Sequence, residues 1–175
     1  AYFLFYCQTV DTSKSTSKRS LCVPSSVSKT LNQPETNTAT RINRIDITVK
    51  DLKRLCSKSN RSQSKWLNDT IINSYVHLLQ QMYVDSLFLN SRFCTQLMQK
   101  SYKDMSRWVK PEKLKAKCLT ANTIFDFANM LIPIHVDNNH WICAKVSWFQ
   151  KRIDFFDSLT DIRNVNDIFQ KLSGF

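Results

Sequence analysis

The sequence predicts a domain of mixed helices and strands, on three observations. A helical apolar pattern starts near Trp66, a set of apolar strands fills residues 131 to 159, and the first quarter of the chain offers almost nothing to bury. Residues 11 to 40 are rich in Ser, Thr, Asn, Gln and Lys, with Pro24 and Pro34, and read as a tail or linker unable to bury enough surface to order itself. The domain is therefore expected over residues 41 to 175, with residues 1 to 40 as a disordered or linker-like N-terminal tail.

The elements follow in order. Ile42, Ile45 and Ile47 lie within an entry strand or extended segment, and Thr48-Val49-Lys50-Asp51 has the T-x-x-D form of a helix start, with Leu52 and Leu55 on one face. Residues 57 to 64 contain no apolar residue and read as a loop. From Trp66 a long helix is expected, capped by Asn68, Asp69 or Thr70. Ile71, Ile72, Tyr75, Val76, Leu79, Met82 and Tyr83 fall on its buried side, and Asn73, Ser74, His77, Gln80 and Gln81 on its polar side. Phe88 to Met98 predicts a second helix. Lys100 to Lys117 carries seven Lys or Arg and reads as a solvated helix with Trp108 turned inward. Strands are expected at Leu131 to Val136, Trp141 to Val146 and Ile153 to Phe156. Asn138-Asn139 and Gln150-Lys151-Arg152 form the turns, and Pro133 marks a strand with a free side.

Composition excludes little but orders the choices. The net charge of +11 divides into 10 basic and 4 acidic side chains in residues 1 to 60, and 15 and 10 in the rest. That balance permits nucleic acid or an acidic protein surface as partner. Cysteines 7, 22, 56, 94, 118 and 143 show no metal-ligand spacing and read as reduced thiols of a nuclear or cytoplasmic protein. Ala1 to Cys7 is apolar but too short to span a membrane, so no membrane partner is expected.

The chemistry centres on the last hairpin. Its return brings the start of one strand beside the end of the next, so His140 and Asp157 are expected to meet as a base and the carboxylate that orients it. His77 and His135 lack such a partner and are read as structural. No cysteine is a good nucleophile. Cys143 is three residues from His140 on a strand and so on the opposite face, Cys56 lies near a helix C-terminus, and Cys94 sits in an apolar pattern.

Five blocks, in order, carry a resemblance. They are Trp66-Leu67-Asn68-Asp69-Thr70-Ile71-Ile72, Asn90-Ser91-Arg92-Phe93-Cys94-Thr95, Arg107-Trp108, Ile132-Pro133-Ile134 with Asn139-His140-Trp141, and Asp157-Ser158-Leu159. Over about residues 42 to 160 the chain resembles the SUMO-specific (sentrin-specific, ubiquitin-like-protein-specific) cysteine proteases. The resemblance implies an α+β, papain-like fold, incomplete at the C-terminus, and a triad in the order His, Asp, Cys, with His140 as base and Asp157 as its orienter. The family's nucleophile sits in a Gln-x5-Cys-Gly element, expected beyond Phe175, so the chain as it stands is expected to be inactive. Trp66 and Trp141 correspond to the two tryptophans that wall the modifier's Gly-Gly tail, which only glycine is slim enough to enter. Asp69 corresponds to an acidic contact to the modifier, and Asn90 and Thr95 to its binding surface, while Arg92 stands where an aromatic is common.

The implied partner is SUMO or another ubiquitin-like protein and its conjugates, with no metal or organic cofactor and a monomeric complete domain. Two rivals remain: an inactive homologue that only binds a modifier through Trp66, Asp69 and Trp141, and a nucleic-acid-binding module using Lys100 to Lys117. Without the family's central helix, an apolar face from Trp141 to Phe156 is expected to lie in water and to aggregate.

Overall fold

The computed structural model describes residues 25–56, 66–118, 120–137, 140–158 and 165–175. Expectations for the tail before residue 25, the loop at 57 to 64 and the Asn138-Asn139 turn lie outside these residues. The chain forms two units, residues 1–71 and 72–175, whose boundary falls within one helix.

In the first unit, helix α1 (Ser25–Leu31) precedes a hairpin of β1 (Thr38–Ile42) and β2 (Ile45–Thr48), followed by α2 (Val49–Cys56). The tail expected through residue 40 therefore ends earlier. What orders this polar segment is backbone pairing rather than burial. Asn43 and Arg44 both take positive φ (43° and 66°), the left-handed pair that closes a two-residue hairpin, and Ile42 pairs with Ile45. The T-x-x-D start of α2 is a full capping box: Thr48 Oγ1 accepts from Asp51 N at 3.2 Å and Asp51 Oδ2 accepts from Thr48 N at 3.0 Å. Asn68 Nδ2 donates to the other carboxylate oxygen at 2.7 Å. Burial pushes the Asp51 pKa up, but these hydrogen bonds outweigh it and hold the group below its ordinary value. Leu55, expected on the buried face of α2, is exposed.

Helix α3 (Asp69–Met82) is capped by Asn68, whose Oδ1 accepts from Ile71 N at 3.1 Å. Ile71, Ile72, Val76 and Leu79 are buried as the periodicity requires, whereas Met82, the last helical residue, is exposed. Ser74 and Gln80, expected on the polar face, are buried instead.

Gln80 is explained by the sheet of the second unit, whose strand order is β3 (Ser86–Phe88), β4 (Asn129–Val136), β5 (His140–Ser147), β6 (Arg152–Phe156). Strand β3 runs parallel to β4, and the other pairs are antiparallel. The helix expected from Phe88 thus begins later, as α4 (Arg92–Gln99), because Phe88 belongs to the edge strand. Leu89 N donates to Leu131 O at 3.0 Å, so the polar groups of Phe88 point away from β4. Side chains take up both: Gln80 Oε1 accepts from Phe88 N at 2.9 Å, and Lys117 Nζ donates to Phe88 O at 2.5 Å. The Gln80 amide also donates to Ser86 O at 2.9 Å. A buried sheet edge is thereby satisfied without a further strand.

The basic stretch is not one helix. It breaks into α5 (Tyr102–Met105), a 3₁₀ turn (Ser106–Val109) and α6 (Pro111–Lys115). Trp108 is half-buried and meets Phe93 edge to face at 5.7 Å. Helix α7 (Asn166–Ser173), not foreseen from the sequence, ends the chain, and Phe175 lies edge-on to Phe93 at 5.3 Å. Pro133 sits two residues beyond Leu131, on the β3-facing side of β4 and past the last β3 pair, where a missing N–H breaks no ladder bond. The apolar face expected in water is mostly covered: residues 141 to 144 and Val146 are buried, and residues 153 to 156 of β6 are half-buried. The exposed aromatic of this hairpin is Phe149, in its turn.

Lys117 carries a measurable signature. Burial lowers its pKa from 10.5 to about 8, while in the unfolded chain it stays protonated to 10.5. Between these values the unfolded state holds the extra proton, so stability rises with pH. Burial also raises the Cys94 thiol to about 11, which acts in the opposite sense once the unfolded thiol ionises near 9. From pH 8 to 9 the lowered Cys118 thiol adds a contribution of the same sign, so Cys118→Ser serves as the parent and leaves Lys117. The thermal midpoint should therefore climb over that unit in the parent, by an amount equivalent to about 1 kcal/mol. Lys117→Met should flatten the climb, and an unchanged slope in the variant would exclude Lys117 as its source.

Candidate active site

The hairpin of β5 and β6 builds the site through its register. Cys143 pairs with Phe156 and Ala144 with Phe155, so continuing the ladder sets Asp157 opposite Ile142. Side chains alternate along a strand, which puts Asp157, Ile142 and His140 on one face, with His140 and Asp157 as diagonal neighbours. His140 Nε2 and Asp157 Oδ1 are 2.5 Å apart, and the two side chains are only 15% and 12% exposed. A carboxylate can only accept, so Nε2 donates and carries the proton, and Nδ1 is left with its lone pair. A neutral imidazole held in one tautomer by a sheltered carboxylate is competent as a general base.

Trp141 follows on the opposite face and is buried, 8% exposed. Its indole lies against the His135 imidazole, with ring centroids 4.3 Å apart and planes 12° from parallel. His135, read from the sequence as structural, thus has an aromatic partner. The two residues face each other in the β4–β5 ladder. Strand pairing, which the sequence does not state, was the signal needed to find them.

The other candidates are placed as follows. Trp66 and Asp69 lie in the first unit. Trp66 is 41% exposed and its carbonyl accepts from Arg54 Nη1 at 2.8 Å. Asp69 is the exposed first residue of α3 and leaves the capping to Asn68. Asn90 and Thr95 lie in the second unit. Asn90 Oδ1 accepts from Arg92 N at 3.1 Å and starts α4, on which Thr95 is exposed. Asn73, which sequence reasoning left as a polar-face residue, fixes this segment. Its Oδ1 accepts from Ser91 N at 2.9 Å and its Nδ2 donates to Ser91 Oγ at 3.0 Å.

Three thiols are described as free: Cys94 and Cys143, both buried, and Cys118, half-buried. Burial makes Cys94 hard to ionise. Cys143 lies on the face of the sheet opposite His140. Cys118 has its pKa lowered, chiefly by the Thr120 hydroxyl 3.3 Å from its sulfur. Among the described residues His140 is hydrogen-bonded to Asp157 and to no thiol. No three His, Cys, Asp or Glu side chains are grouped to hold a metal, and no helix is long and apolar enough to cross a membrane, again among the described residues.

The chain is 28% identical over 135 residues to Ubiquitin-like-specific protease 1 of Saccharomyces cerevisiae, covering 77% of this chain and 20% of that one. It is 32% identical over 123 residues to a sentrin-specific protease of Caenorhabditis elegans, covering 67% of this chain and 15% of the relative. The fold superposes on the C-terminal Ulp1 protease domain solved in complex with Smt3, the yeast ortholog of SUMO, with a TM-score of 0.67 at 28% identity, covering 83% of this chain and 61% of that one. The same score, at 28% identity and with 60% of the solved chain covered, relates it to a SUMO protease Ulp1 whose catalytic cysteine is oxidised to a sulfinic acid. The chain thus spans about three fifths of these solved domains and a fifth or less of the curated relatives. The α+β architecture is that of the Ulp1 protease domain. Residues 65–173, more than half of the chain, match the Ulp1 protease family, C-terminal catalytic domain, and the chain belongs to that family.

Proposed function

We propose that this chain supplies the base and the tail-binding slot of a cysteine peptidase that removes SUMO, or a related ubiquitin-like modifier, by cleaving after its C-terminal Gly-Gly. The observation that carries this reading is the sheltered His140–Asp157 pair, 2.5 Å apart, at the end of the β5–β6 hairpin. Family membership and the Ulp1 relatives support the choice of substrate class.

In the mechanism, His140 Nδ1 takes the proton of a cysteine thiol, and the thiolate adds to the carbonyl carbon of the terminal glycine. The scissile C–N bond breaks as the imidazolium returns its proton to the departing lysine or peptide amine. A thioester remains. Water adds to it with His140 again as base, and the thiol leaves. Asp157 holds the imidazole in the productive tautomer and stabilises its cationic form throughout. By the resemblance, Trp141 flanks the Gly-Gly tail, whose glycines carry no side chain, and Asn90 and Thr95 contact the body of the modifier; Trp66 and Asp69 have their assignments from the sequence blocks alone. The thiol and an oxyanion donor belong to a Gln-x5-Cys-Gly element, which residues 1–175 do not contain.

A second reading is a modifier-binding homologue without turnover, for which family membership speaks equally. Saturable binding of SUMO by the 175-residue chain, with no cleavage when the element is supplied, would favour it.

Joined to a family Gln-x5-Cys-Gly segment, the chain should hydrolyse a SUMO C-terminal amide. In that protein His140→Ala should lower kcat by about 10³-fold or more, and Asp157→Asn by roughly 10²- to 10⁴-fold, with KM little changed. Cleavage by His140→Ala at the parent rate would sink the assignment.

Slot residues should separate from base residues in the same assay. Trp141→Ala is expected to lower kcat/KM by about 10²-fold for the Gly-Gly substrate, while a Gly-Ala tail, already excluded from the parent, becomes relatively better tolerated. Equal losses for both tails would argue that Trp141 only packs the core.

A further inference from the structure

The stretch between α5 and α6 holds a feature that the peptidase reading does not use. Val109-Lys110-Pro111-Glu112 puts an aliphatic residue immediately before a lysine and a carboxylate two residues after it, and no other lysine in the chain has both neighbours. Lys110 sits alone between two short helical pieces, the 3₁₀ turn ending at Val109 and α6 starting at Pro111. Its backbone is extended, with φ −62° and ψ 145°, and its side chain is exposed. Pro111 has its own φ fixed, biases Lys110 before it towards the extended backbone seen, and lends no N–H to the preceding turn.

The neighbouring cations are otherwise engaged. Lys113 Nζ lies over the Trp108 ring, 5.7 Å from its centre, and Lys117 is tied to Phe88 O. Among the described residues neither the Lys110 ammonium nor the Glu112 carboxylate is bonded to another side chain, and Glu112 is exposed on the first turn of α6. The cluster is therefore an exposed lysine, with a half-buried valine just before it and an exposed carboxylate two residues after it.

We propose that Lys110 is an acceptor for covalent attachment of a SUMO-type modifier. Conjugating enzymes that carry such modifiers select a lysine by these two neighbours. The aliphatic side chain seats in an apolar contact, the carboxylate pairs with basic groups, and the lysine stem enters a slot beside the thioester. The neutral ε-amine of Lys110 adds to the carbonyl carbon of the modifier's terminal glycine, held as a thioester on the conjugating enzyme's cysteine. An N–C bond forms, the C–S bond breaks, the thiolate leaves and the amine proton passes to solvent. No oxidant or metal takes part. Modification here stands apart from the peptidase site, since it uses neither His140 nor Asp157.

The test is reconstituted conjugation: the 175-residue chain with SUMO, its activating and conjugating enzymes and ATP, in a mixture shown to modify a control acceptor peptide. One adduct is expected, mapped by mass spectrometry to Lys110. It should be lost in Lys110→Arg, reduced about tenfold in Glu112→Ala by loss of one charge-assisted contact, and unchanged in Lys113→Arg. No adduct, or an adduct at other lysines undiminished by Lys110→Arg, overturns the proposal. Either result leaves the peptidase reading untouched, because no residue of that site is altered.

Discussion

The register between β5 and β6 is the constraint on which the site depends. The base and its carboxylate are 17 residues apart in sequence and meet only because Cys143 is opposite Phe156. A slip of one residue would turn Asp157 to the other face of the sheet and leave His140 facing a hydrophobic residue. Two features hold the register. Ile142, Ala144 and Val146 are buried on one face and Cys143 and Ser147 on the other, so no shifted pairing keeps both faces covered. The turn is closed by Lys151 N donating to Trp148 O at 3.2 Å, with Lys151 itself at a positive φ of 50°. A lysine pays little for that conformation in an exposed turn.

Away from the hairpin, the second unit relies on polar side chains where its secondary structure is short. Strand β3 has three residues, too few for a ladder to anchor an edge by itself. Gln80 and Lys117 supply what a neighbouring strand would, one acceptor and one donor, from the helix before β3 and the segment after α6. The arrangement explains an otherwise unfavourable observation, a lysine buried deeply enough to have its pKa lowered to about 8. Burying the ammonium is tolerated because the alternative is an unsatisfied carbonyl at a buried edge. Asn73 plays the same part for Ser91, tying α3 to the start of α4 with two hydrogen bonds.

What the sequence revealed and what it hid divide along the same line. The amphipathic α3, the capping box at Thr48 and Asp51, the last hairpin and the meeting of His140 with Asp157 were legible, because each is written in local period or in a turn joining adjacent strands. Strand β3 was not, since three residues show no period and its partner begins 43 positions later, at Asn129. Gln80 looked like a solvent-facing residue because a helical wheel assigns one buried side and cannot know that a sheet edge will meet the other. Lys117 was hidden inside a basic run whose remaining members are mostly exposed, and His135 was passed over because its partner is defined by strand pairing. The hairpin of β1 and β2 shows the reverse error: composition argued for a tail, yet backbone hydrogen bonds and a left-handed Asn43-Arg44 turn order a segment that buries little.

The tautomer set by the hairpin limits what chemistry the site can perform. With Nε2 given to Asp157, the reacting partner must approach Nδ1, from the other edge of the ring. The hydrogen bond holds the ring in this orientation, and both side chains are largely sheltered from solvent. Trp141, one residue along and on the other face, is buried against His135 and so is fixed by the β4–β5 pairing, whereas the β5–β6 pairing brings His140 to Asp157. Strand β5 thus carries both residues, but two registers place them, and a slip of β6 alone would disturb the His140–Asp157 pair while leaving the indole against His135.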